Sequence, residues 1–247
     1  MKNHKIISGN CWVAYFDILG FKNEIRLHTG HLDVFAKIQY EEIINHIDVK
    51  SKKPIDFIAQ KYDCSWFSDS FLFYSSDDSI DSYLTIHLVA TSFFHYMTID
   101  KKWPLKGALT VGDFYADKAK NIYLGEALIN AHDYVEKQDW IGLVLTPKAH
   151  EKLVEKSKTN SLNLSSFVNG LGFKEYNVPI KRKTSTNGIE SIELGHEKLF
   201  AHQYKVGDSS RVLIVDWMKS ECQYKDGQKT EYKRKYENTL RFYEEKS

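Results

Sequence analysis

The spacing of apolar residues changes repeatedly along the chain and predicts strands and helices in alternation. Continuous apolar runs at 11–16 and 141–146 are typical of buried strands. The segments 55–67 and 71–75 flank a polar triplet in the pattern of a β-hairpin. Apolar residues at steps of three and four over 80–98 indicate an amphipathic helix. The alternation predicts an α+β or α/β domain.

Glycine and proline residues mark further element boundaries. Residues 105–115 and 121–124 have the pattern of a second hairpin. Gly125 begins a helix predicted to run to about Glu136, and Pro147 occupies the favoured first turn of another helix. One more helix, near the N-terminus, is predicted from the apolar residues Ile25, Leu27, Val34, Phe35, Ile38, Ile43 and Ile44.

The C-terminal part of the chain is more polar. Residues 156–196 contain KSKTNSLNLSS, KRK and TSTNG, which predict a loop-rich excursion and no second domain. Strands near 198–206 and 210–217 and a charged helix at about 229–245 are expected to follow within the C-terminal segment 197–247. We therefore predict a single domain over the whole chain, 1–247, whose core lies at about residues 10–155.

Charge and composition limit the classes of partner. Lysine and arginine total 34 against 33 aspartate and glutamate residues, so a formal net charge of +1 offers no positive excess to nucleic acid or an anionic membrane. No apolar window approaches the length of a membrane span, and the first residues lack the apolar stretch of a signal peptide. We expect a cytoplasmic protein that binds neither nucleic acid nor membrane.

Several common kinds of site are disfavoured by the sequence. Cys11, Cys64 and Cys222 are few and far apart, and the first two lie in apolar runs, which indicates buried thiols. The ten histidines show no zinc-binding spacing. The P-loop, Rossmann and α/β-hydrolase motifs are also absent from the sequence.

Two acidic residues interrupt strongly apolar strand sequence, Asp17 in YFDILGF and Asp69 in WFSDSFLF. Taken singly, they have the pattern of a helix-capping residue and a turn residue. Taken together, they would lie at the same end of adjacent antiparallel strands, where two carboxylates can share hard divalent cations. A site for two divalent cations such as Mn²⁺ or Mg²⁺ then becomes possible, an arrangement that activates a hydroxyl and neutralises a leaving phosphate.

The segment after Asp17 has the features of a phosphate site. Ile18-Leu19-Gly20-Phe21 leads into a predicted helix whose unpaired N–H groups face the turn, and Gly20 permits close approach of the backbone. A triphosphate would fit at this turn.

These motifs resemble those of the class III nucleotidyl cyclases. FDILGF at 16–21 matches the first motif of that family, and Ser68-Asp69-Ser70 takes the place of the Gly-Asp pair in its hairpin. The likeness extends through 105–115 and 123–132 and covers about residues 10–147. It implies a ferredoxin-like α+β fold with a mostly antiparallel sheet flanked by helices. It also implies a homodimer with active sites at the interface.

The resemblance assigns roles to individual residues. Asp17 and Asp69 would be catalytic and would bind both metal ions, and the backbone carbonyl of Ile18 would complete one coordination shell. Phe16 and the backbone around Gly20 and Phe21 would contact the nucleotide phosphates. The reaction is an attack of the ribose 3′-hydroxyl on the α-phosphate with release of pyrophosphate.

The chain departs from the purine cyclases where the base is read. The two base-selecting positions are Ser65 and Ile122, and neither a Lys/Asp nor a Glu/Cys pair is present. The helix from Gly125 has Ile129 and Asp133 in place of the family's Asn and Arg, and Asn130 lies one residue out of register. The hydrogen-bonding groups that select a purine are therefore missing.

With these departures, the chain resembles the pyrimidine cyclases of bacterial Pycsar antiphage systems. The resemblance extends to the C-terminal tail, over Arg211–Trp217 and Arg234–Phe242. The implied activity is conversion of UTP to 3′,5′-cyclic UMP as a signal to a separate effector. A cytidylate cyclase and a non-catalytic nucleotide-binding module are the alternatives. Hydroxyl or amide groups at Ser65, Tyr15 or Asn130 could read either pyrimidine.

Basic residues supply candidate phosphate ligands. Lys106 is one, although a lysine that protects a strand edge has the same pattern. Lys181, Arg182 and Lys183 could reach a triphosphate from a loop, and the alternative is a solvated charge run.

Overall fold

The computed structural model describes residues 6–37, 41–43, 45–46, 62–159, 164–186, 189–205, 207–224 and 230–245. The strands are β1 (Ile6–Ile18), β2 (Asp63–Phe67), β3 (Ser70–Tyr74), β4 (Leu105–Asp117), β5 (Ile122–Leu124), β6 (Gly142–Leu145), β7 (Phe173–Thr186) and β8 (Ile189–His202). The α-helices are α1 (Phe21–Leu27), α2 (Leu32–Phe35), α3 (Ile80–His95), α4 (Glu126–Lys137), α5 (Pro147–Thr159), α6 (Leu164–Gly170), α7 (Ser209–Tyr224) and α8 (Thr230–Glu244).

The described strands form one sheet in the order β2-β3-β1-β4-β6-β8-β7, with β5 paired to β4. All of these pairs are antiparallel except β4 with β6. The first four strands and their helices follow a βαββαβ sequence with the spatial order β4-β1-β3-β2, which is the ferredoxin-like arrangement. The predicted α+β fold with a mostly antiparallel sheet is confirmed. Among the described helices, none is long and apolar enough to cross a membrane.

Helices cover both faces of this sheet. Successive strand residues point to opposite faces, so Phe16 and Phe73 pack with Phe93 of α3 on one face. Val144 packs on the other face with side chains of α7 and α8. Asp17, next to Phe16 in the strand, belongs to this second face, which α4 and α8 flank. Cys11 and Cys64 are buried, as predicted.

Most predicted elements are present. The helix expected over 80–98 is α3 followed by one π-helical turn at Tyr96–Asp100, and the predicted second hairpin is β4 with β5. The helix predicted near the N-terminus is interrupted at Gly30, whose φ is +91°. The predictions for Ile38, Ile44 and 55–61 lie outside the described residues.

The loop-rich excursion predicted over 156–196 is wrong. Strands β7 and β8 form a long antiparallel hairpin there, in register from Phe173 with His202 to Thr186 with Ile189. Tyr176, Val178 and Ile180 are buried at every second position, which is a strand pattern of period two. The polar composition of this segment hid that alternation.

The strand predicted over 210–217 is also wrong, because these residues lie in α7. Asp208 Oδ1 accepts a hydrogen bond from the backbone N–H of Ser210 at 2.8 Å and caps the start of the helix. Ile214, Trp217 and Met218 are buried at helical spacing. The β-branched run suggested a strand, and tertiary packing outweighs that propensity.

Gly107 allows the Phe16 side chain to pack closely against β4 inside the sheet. It pairs with Phe16, and a Cβ atom at Gly107 would lie 2.4 Å from Phe16 Cε1. Because the Phe16 ring is fully buried, Gly107→Ala is expected to lower the free energy of unfolding by about 1 to 3 kcal/mol. Chemical denaturation measures this change. Gly170→Ala is the control, since a Cβ at Gly170 meets nothing within 4 Å; an equal loss in both variants would contradict the packing argument.

Candidate active site

Asp17 and Asp69 lie at the same end of neighbouring strands, as predicted. Asp17 pairs with Ser70 of β3 on one side and with Lys106 of β4 on the other. Asp69 is in the tight turn between β2 and β3, where Ser68 has a φ of +54°. The Ile18 N–H donates to the Asp69 carbonyl at 3.0 Å and ties the turn to the end of β1.

The backbone carbonyl of Ile18 points towards the side of β1 on which Asp69 lies. The N–H of Leu19 donates to the Pro104 carbonyl at 2.8 Å, on the β4 side of β1. No cis peptide bond occurs among the described residues, so the Ile18 carbonyl points away from β4 and towards the side of Asp69. A carbonyl oxygen therefore joins the two carboxylates as a possible ligand.

The electrostatic setting of Asp17 suits a cation. Burial raises the pKa of this carboxyl to about 6; Lys106 opposes the rise, and Asp69 and Glu136 add to it. Two carboxylates and a carbonyl are hard oxygen donors of the kind that Mg²⁺ and Mn²⁺ accept together with substrate phosphates. Among the described residues there is no metal-binding group of three or more His, Cys, Asp or Glu. The protein would thus supply these three oxygen ligands, and substrate and water the others.

Lys106 is buried beneath Asp17. Its side chain is 6% exposed, and Nζ lies 4.0 Å from Asp17 Oδ2 and donates to the Val135 carbonyl at 2.9 Å. Burial lowers the pKa of Lys106. The strand-edge alternative is wrong, because β4 lies between β1 and β6. Lys106 is placed as an internal counter-charge to Asp17.

The two aromatic residues of the first motif belong to the core. Phe16 is fully buried, with its ring 5.3 Å from that of Phe93 on the face opposite Asp17. Phe21 is 7% exposed and packs with Phe35 and Trp103. The Phe16 side chain therefore points into the core and away from Asp17, whereas the role expected of the backbone around Gly20 and Phe21 stays a prediction.

Gly20 lies close to a residue of the C-terminal helix that the sequence analysis did not identify. Its φ of +82° is a conformation that favours glycine. A Cβ atom here would lie 3.4 Å from Tyr232 Cε1 of α8. The C-terminal helix thus closes one side of the predicted phosphate turn.

Ser65 and Tyr15 share the face of Asp17. Ser65 pairs with Leu72, which pairs in turn with Tyr15, and paired residues point to the same face. The Tyr15 hydroxyl lies 2.7 Å from Ser70 Oγ. Burial raises the pKa of Tyr15, and Asp17 is among the residues that raise it further. The hydroxyls of Ser65 and Tyr15 thus lie on the same face of the sheet as the Asp17 carboxylate.

Asn130 is held away from Asp17 within one copy of the chain. Its Oδ1 accepts a hydrogen bond from Thr110 Oγ1 at 2.7 Å. Thr110 pairs with Val13, four residues before Asp17 and so about 13 Å along the strand. A role for Asn130 at the substrate therefore depends on the predicted dimer. The same applies to Ile122, which pairs with Asp117 at the far end of β4.

The basic triplet lies in a strand and not in a loop. Lys181 of β7 donates to Glu231 of α8 at 2.5 Å. Arg182 donates to the His196 carbonyl at 2.8 Å, and Lys183 is exposed. Of the three, Lys181 alone is joined to α8 by a described contact.

Asp139 anchors α8 beside the site. Arg234 Nε and Nη2 donate to its two carboxylate oxygens at 2.5 and 3.1 Å, and Asn238 Nδ2 donates to its backbone carbonyl at 2.7 Å. Asp139 is 1% exposed, so this bidentate pair fixes the helix at a buried point. Because the partners are 95 residues apart, no local sequence signal could have identified them.

No protein-family model and no curated protein matches the sequence. Among solved structures, the catalytic core of a rhodopsin-guanylyl cyclase with converted specificity, in complex with ATPαS, is 13% identical, with 81% of this chain and 98% of that chain covered and a TM-score of 0.48. An adenylate/guanylate cyclase/hydrolase from Silicibacter pomeroyi is 10% identical, with 81% and 100% covered and a TM-score of 0.41.

Proposed function

We propose that the chain is a divalent-metal-dependent nucleotide cyclase that converts UTP to 3′,5′-cyclic UMP and pyrophosphate. The observation that carries this proposal is the placement of Asp17 and Asp69 at the same end of adjacent strands, with the Ile18 carbonyl directed to the same side. Oxygen ligands in this arrangement suit a pair of divalent cations.

In the proposed reaction the bond between O3′ and the α-phosphorus forms as the bond from that phosphorus to the bridging oxygen breaks. The O3′ proton is released, and pyrophosphate leaves. Asp17, Asp69 and the Ile18 carbonyl would hold two Mn²⁺ or Mg²⁺ ions. When bound, such ions make the 3′-hydroxyl more acidic and neutralise charge on the phosphates. The Lys106 ammonium, 4.0 Å from Asp17, limits the repulsion between the two carboxylates.

The proposal of a pyrimidine substrate rests on the residues at the positions that would contact the base. Ser65 lies on the face of Asp17 and offers one hydroxyl, and Tyr15 on the same face offers another. A hydroxyl can donate to O4 of uracil and accept from its N3 proton, and it can rotate to suit cytosine. The preference for UTP over CTP follows from the resemblance to stand-alone pyrimidine cyclases.

The biological setting is part of the same proposal. Cyclic UMP would serve as an alarm signal for a separate effector in a cytoplasmic antiphage system. The enzyme would act as a homodimer with its sites at the interface.

A non-catalytic nucleotide-binding module is the second candidate. It is favoured by Ile129 and Asp133 on α4, where the cyclase family has its Asn and Arg. Retention of both aspartates at one end of the sheet favours the enzyme. Tight UTP binding without pyrophosphate release, in Mn²⁺ and in Mg²⁺, would make the module the better account.

Nucleotide selectivity gives a direct test of the base-reading residues. With Mn²⁺ and each of the four nucleoside triphosphates in turn, we expect cyclic UMP as the main product, separated by chromatography. In a competition between UTP and CTP, a ratio of kcat/KM values about tenfold in favour of CTP, or about 1.4 kcal/mol, would reassign the enzyme as a cytidylate cyclase. A cyclic purine as the sole product would contradict the interpretation of Ser65 and Ile122.

A further inference from the structure

A buried lysine of the C-terminal helix lies close to the candidate active site. The Lys235 side chain is 5% exposed, and its Nζ lies 3.4 Å from Glu231 Oε1. Among the described residues, Glu231 is the one carboxylate within 4.0 Å of this nitrogen. Burial, together with the positive charges of Lys181 and Lys106, lowers the pKa of Lys235 to about 8. Among the described residues, an ammonium with three N–H donors thus has a single carboxylate within ion-pair distance, and Asp139 acts on it only from farther away.

Glu231 is shared between two ammonium groups. Its Oε1 accepts a hydrogen bond from Lys181 at 2.5 Å and faces Lys235 at 3.4 Å. The hydrogen bond from Lys181 is the main reason that the pKa of Glu231 falls to about 2. The Glu231 side chain is 51% exposed, whereas Lys181 is 23% exposed. The carboxylate can therefore move into solvent while both lysines keep their positions.

This cluster adjoins both parts of the candidate site. Lys106, which lowers the pKa of Lys235 by its charge, lies 4.0 Å from Asp17. Tyr232, one residue from Glu231, lies beside Gly20 at the predicted phosphate turn. An anion held between Lys181 and Lys235 would thus be near the metal-binding aspartates.

We propose that Lys181 and Lys235 bind the terminal phosphates of the nucleotide, and that Glu231 is an internal anion which those phosphates displace. The identity of the anion as a nucleoside triphosphate rests on the function proposed above. A phosphate oxygen would replace the Glu231 carboxylate between the two ammonium groups, and the carboxylate would turn to solvent. The exchange keeps both buried or half-buried cations paired, which their desolvation requires.

Binding of inorganic tripolyphosphate tests this proposal without any turnover. The full-length protein is titrated by calorimetry in the absence of divalent metal. We expect Lys235→Met to raise the Kd about tenfold, because a charge-assisted hydrogen bond is lost while the aliphatic stem is kept. Lys181→Met, at a more exposed position, gives the same test if Lys235→Met does not fold. Glu231→Gln is expected to lower the Kd several-fold, because the competing charge is removed.

A surface ion pair that also involves α8 serves as the control. Lys219 of α7 and Glu244 of α8 pair at 3.1 Å on the surface. Lys219→Met and Glu244→Gln make the same changes in charge and are expected to leave the Kd unchanged.

Tripolyphosphate binding that is absent, or equally strong in wild type and Lys235→Met, would overturn the proposal. Weaker binding by Glu231→Gln would do the same, because it would mean that Glu231 only supports the lysines. These outcomes are independent of cyclase activity, so failure of the proposed function would appear separately, as wild-type protein that binds tripolyphosphate but forms no cyclic nucleotide.

Discussion

Replacing Asp17 or Asp69 by asparagine is expected to lower the rate of UTP cyclisation about a thousandfold or more. Each substitution removes an anionic oxygen from the end of the sheet where the two residues meet. Bound cations contribute several kcal/mol of charge stabilisation in the transition state, and each 1.36 kcal/mol corresponds to a factor of ten in rate. Pyrophosphate release and cyclic UMP formation in saturating Mn²⁺ would measure the loss.

The fold should survive these substitutions. Burial already disfavours the charge on Asp17, so its removal is not expected to destabilise the protein strongly. Asp63→Asn is the matched control in the same hairpin, because Asp63 lies at the other end of β2 and pairs with Lys118 at the surface. Full activity of the asparagine variant at either position, Asp17 or Asp69, would contradict the proposed metal site.

Acidification from pH 7 to pH 5 is expected to lower the free energy of unfolding by about 3 to 4 kcal/mol through His87 and His202 alone. Burial lowers the pKa of His87 to about 4 and that of His202 to about 3. Both ordinary values are near 6.5, so below this pH the unfolded chain binds more protons than the folded one. The stabilisation is complete above pH 6.5 and is lost as the pH falls towards the folded-state values.

Variants at His87 separate this effect from other titrations. His87 is packed against the rings of Tyr83 and Phe173, and its Nδ1 has no hydrogen-bond partner among the described residues. His87→Phe is therefore expected to fold and to reduce the loss between pH 7 and pH 5 by about 2 kcal/mol. Urea unfolding at pH 7, 6 and 5 measures this. A pH dependence of His87→Phe equal to that of wild type would refute the assignment.

The sequence predicts secondary structure correctly where the local residue pattern and the overall fold favour the same element. The run 11–16 lies in a strand interior to the sheet, and the polar triplet around Asp69 lies at the turn of a hairpin. Both follow from periodicity and turn chemistry within a few residues. The placement of the two aspartates could be predicted for the same reason, since register and strand direction then fix which end of the sheet they share.

Features that depend on tertiary packing could not be predicted in this way. The 210–217 run has β-branched residues, yet it forms a helix whose Ile214 and Trp217 pack into the core. Lys106 lies on β4, which is an interior strand of the sheet, so the interpretation of this lysine as one that protects a strand edge is wrong. The contacts of α8 with Asp139 and Lys181 join residues at least 50 positions apart, so no local pattern marks them.

The most direct test of the proposed chemistry is the product formed from UTP by the purified wild-type chain in Mn²⁺. Mass spectrometry, with pyrophosphate measured in parallel, distinguishes cyclisation from hydrolysis. We expect 3′,5′-cyclic UMP and pyrophosphate in equal amounts, and no reaction once the metal is chelated. UDP with phosphate, UMP with pyrophosphate, or no consumption of UTP would contradict the proposed function.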